Sequence, residues 1–134
     1  MYLNKLSGEQ KELFLDLCIY ASMANNDFDE KEKEYIRQYC EEMRLDNVRY
    51  TAVNSLEDAV EQIIKISSEK ELKIVILELT ALLLSDNEYD EMEKQFMQKM
   101  LIKANISSDL NDKMINSLKK LMDIYAEIDS MIFS

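Results

Sequence analysis

Proline, histidine and glycine are scarce or missing in this chain of 134 residues, and each absence excludes a class of structure or chemistry. There is no proline, and the one glycine is Gly8. Because the tight turns of sheet-rich folds need both residues, their scarcity favours α-helices joined by short polar links. Without histidine, Ser-His and Cys-His catalytic arrangements and the usual zinc sites are excluded. We therefore expect an all-α protein that is not an enzyme.

The cysteines, the apolar runs and the net charge indicate in which compartment the protein works and which class of partner it binds. Cys18 and Cys40 each lie on an apolar helical stripe, which predicts two buried thiols rather than a disulfide. The first residues lack an apolar signal core, and charges interrupt every later apolar run, so we expect a cytoplasmic protein without membrane insertion. A net charge of −11 disfavours nucleic acid, because phosphates would be repelled. A protein is the partner that we expect.

Hydrophobic periodicity and N-cap residues predict six helices within a single domain spanning residues 1–134. The fourth helix is apolar nearly all round, which places it at the centre of a compact bundle. The sixth carries an apolar stripe that includes Leu118, Tyr125, Ile128 and Ile132, and it is expected to pack along the bundle. The predicted ranges are 8–23, 30–43, 56–66, 69–84, 91–104 and 109–132.

An internal repeat is the most specific feature of the sequence. Residues 26–36 align without a gap with residues 87–97, at an offset of 61. In each copy an aspartate at the N-cap stands three residues before a glutamate, which is the spacing of a capping box. A further glutamate lies in the first turn, where the helix dipole favours negative charge. The pattern predicts two related helix–turn–helix units, with Asp29 and Asp90 as the caps.

At these turns the chain resembles the TerB family, named for tellurite resistance and found in bacterial stress systems. The family pattern is close to Ala-Asp-Gly-x-(apolar)-x-x-x-Glu-x-x-(apolar), and residues 24–35 and 85–96 are two copies similar to it. Both copies have asparagine, Asn26 or Asn87, in place of glycine, and the first also has Asn25 in place of aspartate. The resemblance covers roughly residues 13–104. It implies a compact helical bundle and a divalent-cation site near the acidic turns, and it does not imply a reaction.

Two interpretations of the acidic turns remain open. Alternating carboxylates offer the oxygen ligands that Ca²⁺ or Mg²⁺ prefers, although Ile36 and Met97 occupy the position where an EF-hand needs glutamate. Helix capping alone explains several of the same residues. We accordingly expect a non-enzymatic accessory or interaction module that binds a divalent cation through its acidic turns, or a purely structural or scaffolding helical protein with no metal site. The candidate metal ligands are Asp86, Glu88, Asp90, Glu93, Asp27, Asp29 and Glu32.

Overall fold

Six α-helices and one 3₁₀ turn make up the regular structure in a computed structural model that describes residues 1–24, 28–85 and 89–134. No strand occurs within those residues, and the all-α prediction is confirmed. The predicted helix bounds agree with the structure to within one or two residues. The turn is Leu3–Lys5, and the helices are α1 (Gly8–Ser22), α2 (Glu30–Glu42), α3 (Leu56–Ile66), α4 (Glu69–Leu84), α5 (Glu91–Ala104) and α6 (Ser108–Phe133).

The two central helices begin in the same way. At α1, the Ser7 hydroxyl accepts a hydrogen bond from the backbone N–H of Gln10, and the Gln10 side chain accepts one from the N–H of Ser7. Ser68 and Glu71 make the same reciprocal pair at the start of α4. Each pair satisfies two of the N–H groups that a helix leaves unbonded at its start. Serine caps therefore fix where both helices begin.

Helices α1 and α4 form the centre of the bundle. Helix α1 packs most extensively against α3 and then against α4, while α4 also contacts α6, α5 and α2. Both helices are buried on nearly all sides. The prediction that α4 is central is confirmed, and α1 shares that position. The two cysteines are buried free thiols, as expected. The largest side chains with almost no exposure on these two helices are Phe14, Leu15, Leu17, Ile19, Ile76, Leu79, Leu82 and Leu83.

The repeat is longer in the structure than in the sequence pattern. Shifting Ser7 and Gln10 by 61 residues gives Ser68 and Glu71, the capping pair of α4. The ends of α2 and α5 match at the same offset: Arg44 has φ 57° and Asn105 has φ 55°. One residue further on, Leu45 and Ile106 each donate a backbone hydrogen bond of 3.0 Å back into their helix. Such a left-handed residue is a common helix end. The repeated unit is therefore a whole helix pair, α1–α2 and α4–α5.

A third helix follows each pair, through links of very different length. Residues 43–55 join α2 to α3, whereas residues 105–107 join α5 to α6. Asp16, fully buried on α1, holds the long link in place. Its carboxylate accepts hydrogen bonds from Arg49 at 2.7 Å, from Val53 N–H at 3.0 Å and from both nitrogens of Asn54. Burial acts to raise the pKa of Asp16, but these hydrogen bonds outweigh it and lower that pKa.

Helix α6 only partly follows the prediction that it packs along the bundle. Leu118 is buried against Ala81 and Leu84 of α4, and the Asn111 amide donates a 3.0 Å hydrogen bond to Thr80. From residue 123 to the end of the helix every residue is exposed, including Tyr125, Ile128 and Ile132. The expected packing is wrong for this half of the helix, because apolar periodicity identifies a face but not its neighbour. Among the described residues, no helix is long and apolar enough to cross a bilayer.

Candidate functional site

The two acidic turns are built around helix caps. The Asp29 carboxylate accepts a 2.8 Å hydrogen bond from Glu32 N–H at the start of α2. At the start of α5, Asp90 accepts one of 2.9 Å from Glu93 N–H, and the Glu93 side chain accepts one of 3.1 Å from Asp90 N–H. The predicted caps are confirmed. The remaining predicted metal ligands, Asp27, Asp86 and Glu88, lie outside the described residues, as do Asn25, Asn26 and Asn87.

Glu32 and Glu93 are buried, with 1% of each residue exposed, although the glutamates two positions earlier face solvent. Burying a carboxylate is costly unless charge or hydrogen bonds stabilise it. The N-terminal helix dipole favours a negative group at both positions, and Glu93 also accepts a hydrogen bond from the N–H of Asp90. Both repeats bury the glutamate at this one position. The sequence spacing predicts their place in the first turn of the helix, but not their burial.

At each acidic turn a lysine contacts an aromatic ring. Lys33 Nζ lies 5.7 Å from the centroid of the Phe28 ring, and Lys94 Nζ lies 5.9 Å from that of Tyr89. Both distances fall within the range of a cation–π contact. Burial, and then the nearby carboxylates of Glu93 and Asp112, raise the pKa of Tyr89 to about 12. Burial and these carboxylates both favour the neutral form of the Tyr89 hydroxyl.

Within residues 1–24, 28–85 and 89–134, no three carboxylates or thiols stand close enough together to hold a metal ion. In the described part of the turns, Asp29, Asp90 and Glu93 serve as capping groups. A cation site at either turn would need the carboxylates of residues 27, 86 or 88 in addition. The described residues alone therefore do not form a cation site, and they could contribute only some of its ligands.

A different feature stands out in the second half of α6, where large apolar side chains face solvent over three turns. Their exposed fractions run from 45% for Ile128 to 82% for Phe133, whereas Leu118, on the same helix, is 5% exposed. We call the exposed face formed by Leu121, Ile124, Tyr125, Ile128, Met131 and Ile132 the α6 stripe. Leu121, at its inner end, is half-buried.

The α6 stripe continues a heptad pattern that begins inside the domain. Successive members alternate by three and four residues, as in the a and d positions of a coiled coil. The first three are buried or half-buried against the domain, whereas Tyr125, Ile128 and Ile132 are exposed. The spacing could have been found in the sequence, but not the point at which packing stops. The members of the pattern are Asn111, Met114, Leu118, Leu121, Tyr125, Ile128 and Ile132.

A groove of about 600 Å³ lies between α3 and α5. Its floor is apolar, its α3 side carries Glu57 and Glu61, and its α5 side carries Lys99 and Lys103. With two charges of each sign at its rim, the groove is electrostatically balanced. The apolar residues that line it are Leu56, Val60, Ile64, Phe96 and Met100.

The same face of the other repeat is covered. At the offset of 61, Phe96, Met100 and Lys103 correspond to Tyr35, Tyr39 and Glu42 on α2. These lie beside Met1 and the buried Glu78 in a small cavity of about 140 Å³. The Met1 ammonium is 3.1 Å from both Glu42 and Glu78. The N-terminal residue therefore covers a face of α2 whose equivalent on α5 lines the open groove.

Glu78 is a buried carboxylate that sequence reasoning missed, because it reads as one polar position on an apolar helix. Burial raises the pKa of Glu78, and attraction to the Met1 ammonium partly offsets that rise. Burial also acts to lower the pKa of the ammonium, but its attraction to Glu78 and Glu42 prevails and raises it. The pair ties the N-terminal segment to α4 and explains the one charged side chain in the centre of that helix.

Comparison of the chain with family models, with curated proteins and with solved structures finds no match.

Proposed function

We propose that the chain is a cytoplasmic, non-enzymatic interaction module of the TerB-like type, and that it works by taking another α-helix along the α6 stripe. The observation that carries this proposal is the solvent exposure of the five outer residues of the stripe. With about 200 Å² for each fully exposed large side chain, they expose roughly 600 Å². That is at the upper limit of the largest apolar patch on a typical monomer, about 300–600 Å².

The geometry favours a helix over other partners. A straight apolar stripe with a three- and four-residue period is the complement of another helix of the same kind. The outer face carries Asp123 and Glu127, Asp129 flanks the stripe, and no lysine or arginine occurs from residue 121 to residue 134. Helices that lie on membranes carry basic residues on their polar face, and nucleic acid would be repelled. A protein helix is the remaining partner that suits both faces.

The non-enzymatic assignment is supported by the structural roles of the buried polar side chains. Asp16 holds the link that precedes α3, Glu93 completes a cap, and Glu78 holds the N-terminal segment. Each of these carboxylates stabilises the fold rather than facing a cavity suited to a substrate. The TerB-like assignment, with its setting in stress systems, is supported by the two acidic turns, in each of which an aspartate caps the following helix.

The test uses a synthetic helical peptide of about three heptads, with isoleucine and leucine at a and d and lysines at the flanking positions. We expect micromolar binding by fluorescence anisotropy to the chain, and loss of binding to the variant Ile128→Asp. The matched control is Asp123→Asn, on the opposite face of the same helix, which should bind with nearly unchanged affinity. Equal binding by the chain and the Ile128→Asp variant would contradict the proposal.

A second candidate function is binding of Ca²⁺ or Mg²⁺ at the acidic turns, favoured by the burial of Glu32 and Glu93 at equivalent positions. Carboxylates concentrated in a turn repel each other until a cation binds. Together with Asp86, Glu88 and Asp90, Glu93 would form the better of the two sites. The alternative is that both turns only cap helices, in a purely structural or scaffolding protein.

Thermal unfolding with added cation separates these alternatives. A site with a dissociation constant near 1 mM would add about 1.4 kcal/mol at 10 mM Ca²⁺. For a domain of this size the melting temperature would rise by roughly 3–6 °C. Asp90→Asn keeps a good capping residue, so it should abolish the rise without greatly lowering stability in the absence of cation. If the rise is no larger than that given by NaCl at equal ionic strength, the turns are caps alone.

A further inference from the structure

We infer that the helix that pairs with the α6 stripe is α6 of a second copy, in antiparallel orientation, so that the chain forms a two-fold symmetric dimer. The inference rests on the proposed function, since it names the partner of the same surface. It starts from the chemistry of the stripe, which is self-complementary when one copy is turned end to end.

Antiparallel coiled coils bring the a position of one helix beside the d position of the other. Along the α6 stripe this pairs Leu121 with the partner's Ile132, and Tyr125 with the partner's Ile128. Ile124 then lies beside the partner's Met131, in the flanking row. A single register therefore covers every member of the stripe with an apolar neighbour. Symmetric dimers need such a self-complementary patch.

Charge does not oppose this register, despite the net charge of −11 on each copy. Asp123 and Glu127 lie on the outer faces of the paired helices. Asp129 is the one charged residue beside the seam, and it lies opposite the partner's Met122. No carboxylate faces another across the seam.

The packing of residues 111–118 inside the domain limits which part of α6 can pair, and it favours the antiparallel orientation. Residues 111–118 already pack on α4, so the overlap is confined to residues 121–133. A parallel pair would place two domains of equal negative charge side by side, whereas the antiparallel pair places them at opposite ends. Each copy exposes roughly 600 Å² of apolar surface on the stripe. Together with the flanking polar residues, this approaches the ~800 Å² per partner of a stable complex.

Sedimentation equilibrium of the full chain tests the association. We expect a monomer–dimer equilibrium with a dissociation constant of about 10 µM. Because both copies contribute Ile128, the variant Ile128→Asp should weaken the dimer roughly 100-fold. Glu127→Gln, on the outer face, is the control and should leave the dissociation constant within about twofold. An unchanged far-ultraviolet circular dichroism spectrum and melting curve at low concentration show that each variant is folded.

Introduced cysteines test the register. The two native thiols are buried, so an added surface cysteine reacts by itself. Leu121→Cys and Ile132→Cys should form an oxidised dimer only when the two variants are mixed, because in each variant alone the cysteines are about 16 Å apart along the helix axis. Crosslinking of Ile132→Cys with itself would show parallel pairing and overturn the register. Crosslinking of Ile128→Cys to an added cysteine at Ile64, in the α3–α5 groove, would show a different interface.

The result also separates this inference from the proposed function. A chain that stays monomeric at about 1 mM but binds the synthetic heptad peptide overturns the dimer and leaves the interaction module standing. A monomer that does not bind the peptide overturns both. Dimers that Ile128→Asp does not weaken would place the interface elsewhere and overturn the inference.

Discussion

The two links that lead to the third helices, α3 and α6, differ in how their backbone is held in place. The short link, 105–107, is fixed by the helix end at Asn105 and the serine cap of α6. The long link, 43–55, has more conformational freedom to lose, and the buried carboxylate of Asp16 holds it. At the equivalent position, α4 has Leu77. The buried carboxylate is therefore found in the repeat that is followed by the long link, and an apolar residue takes its place in the other repeat.

The largest effect should come from removing that anchor. Asp16→Ala leaves Arg49 and the N–H groups of Val53 and Asn54 without their shared acceptor, and we expect a loss of about 3–4 kcal/mol in the free energy of unfolding. Urea unfolding measures it. Glu12→Ala is the control, because Glu12 also bonds Arg49 but is exposed, and it should cost under about 1 kcal/mol. Equal losses for the two variants would show that the link is not held by Asp16.

The same carboxyl makes stability depend on pH. The pKa of Asp16 in the fold lies below its ordinary value of 3.8. Its contribution is therefore present above that value and is lost as the pH falls through the lowered pKa. We expect the difference in unfolding free energy between the chain and Asp16→Asn to shrink as the pH is lowered from about 5 towards 2. A difference that grows on acidification would mean that the sign of the shift is wrong.

The two halves of α6 provide a second contrast, on one apolar pattern. Leu118→Ala should cost about 2 kcal/mol, since it opens a cavity against Ala81 and Leu84. Ile128→Ala should change the stability of the monomer by less than about 0.5 kcal/mol. Both are measured by chemical unfolding at low micromolar concentration or below, where the dimer dissociates. A large loss at Ile128 under these conditions would place the stripe inside the monomer's core.

The smallest changes in stability are expected at the ends of α2 and α5, where Arg44 and Asn105 each adopt the left-handed conformation. Arg44 has a side chain that this conformation disfavours, so Arg44→Gly should stabilise the fold by about 0.5–1 kcal/mol. Asparagine tolerates the conformation, and Asn105→Gly should gain only about 0.3 kcal/mol. Arg44→Ala removes the same charge but keeps the strain, and should gain nothing. Melting temperatures of the three variants, compared with the parent chain, check the order.

Much of the fold could be predicted because its signals are local. N-caps at Ser7, Ser55, Ser68, Asp29 and Asp90 each lie three residues before the group they bond, so sequence spacing was sufficient. Ser7 and Ser68 also match at the offset of 61, but the sequence identity between the repeats is concentrated at the acidic turns. The wider repeat became clear from the backbone conformation at Arg44 and Asn105.

The rest depends on contacts between distant segments. Asp16 has the spacing of an ordinary helix residue, and its partners lie more than thirty positions away. The α6 stripe follows the same period before and after residue 121, so periodicity could not show where its packing ends. Of the metal ligands proposed from sequence, Asp29, Asp90 and Glu93 serve as capping groups, and Glu32 is buried in the first turn of α2. The cation hypothesis itself stays a prediction.

The differences between the repeats also guard the chain against exchanging equivalent parts between molecules while it folds. If an α4–α5 pair of one molecule took the place of α1–α2 in another, Glu78 would occupy the fully buried position of Leu17, away from any ammonium. Asp16 would be replaced by Leu77, and the long link would lose its acceptor. An uncompensated buried carboxylate costs several kcal/mol. Two residues side by side on the central helices thus make the halves non-interchangeable, although their backbones match closely.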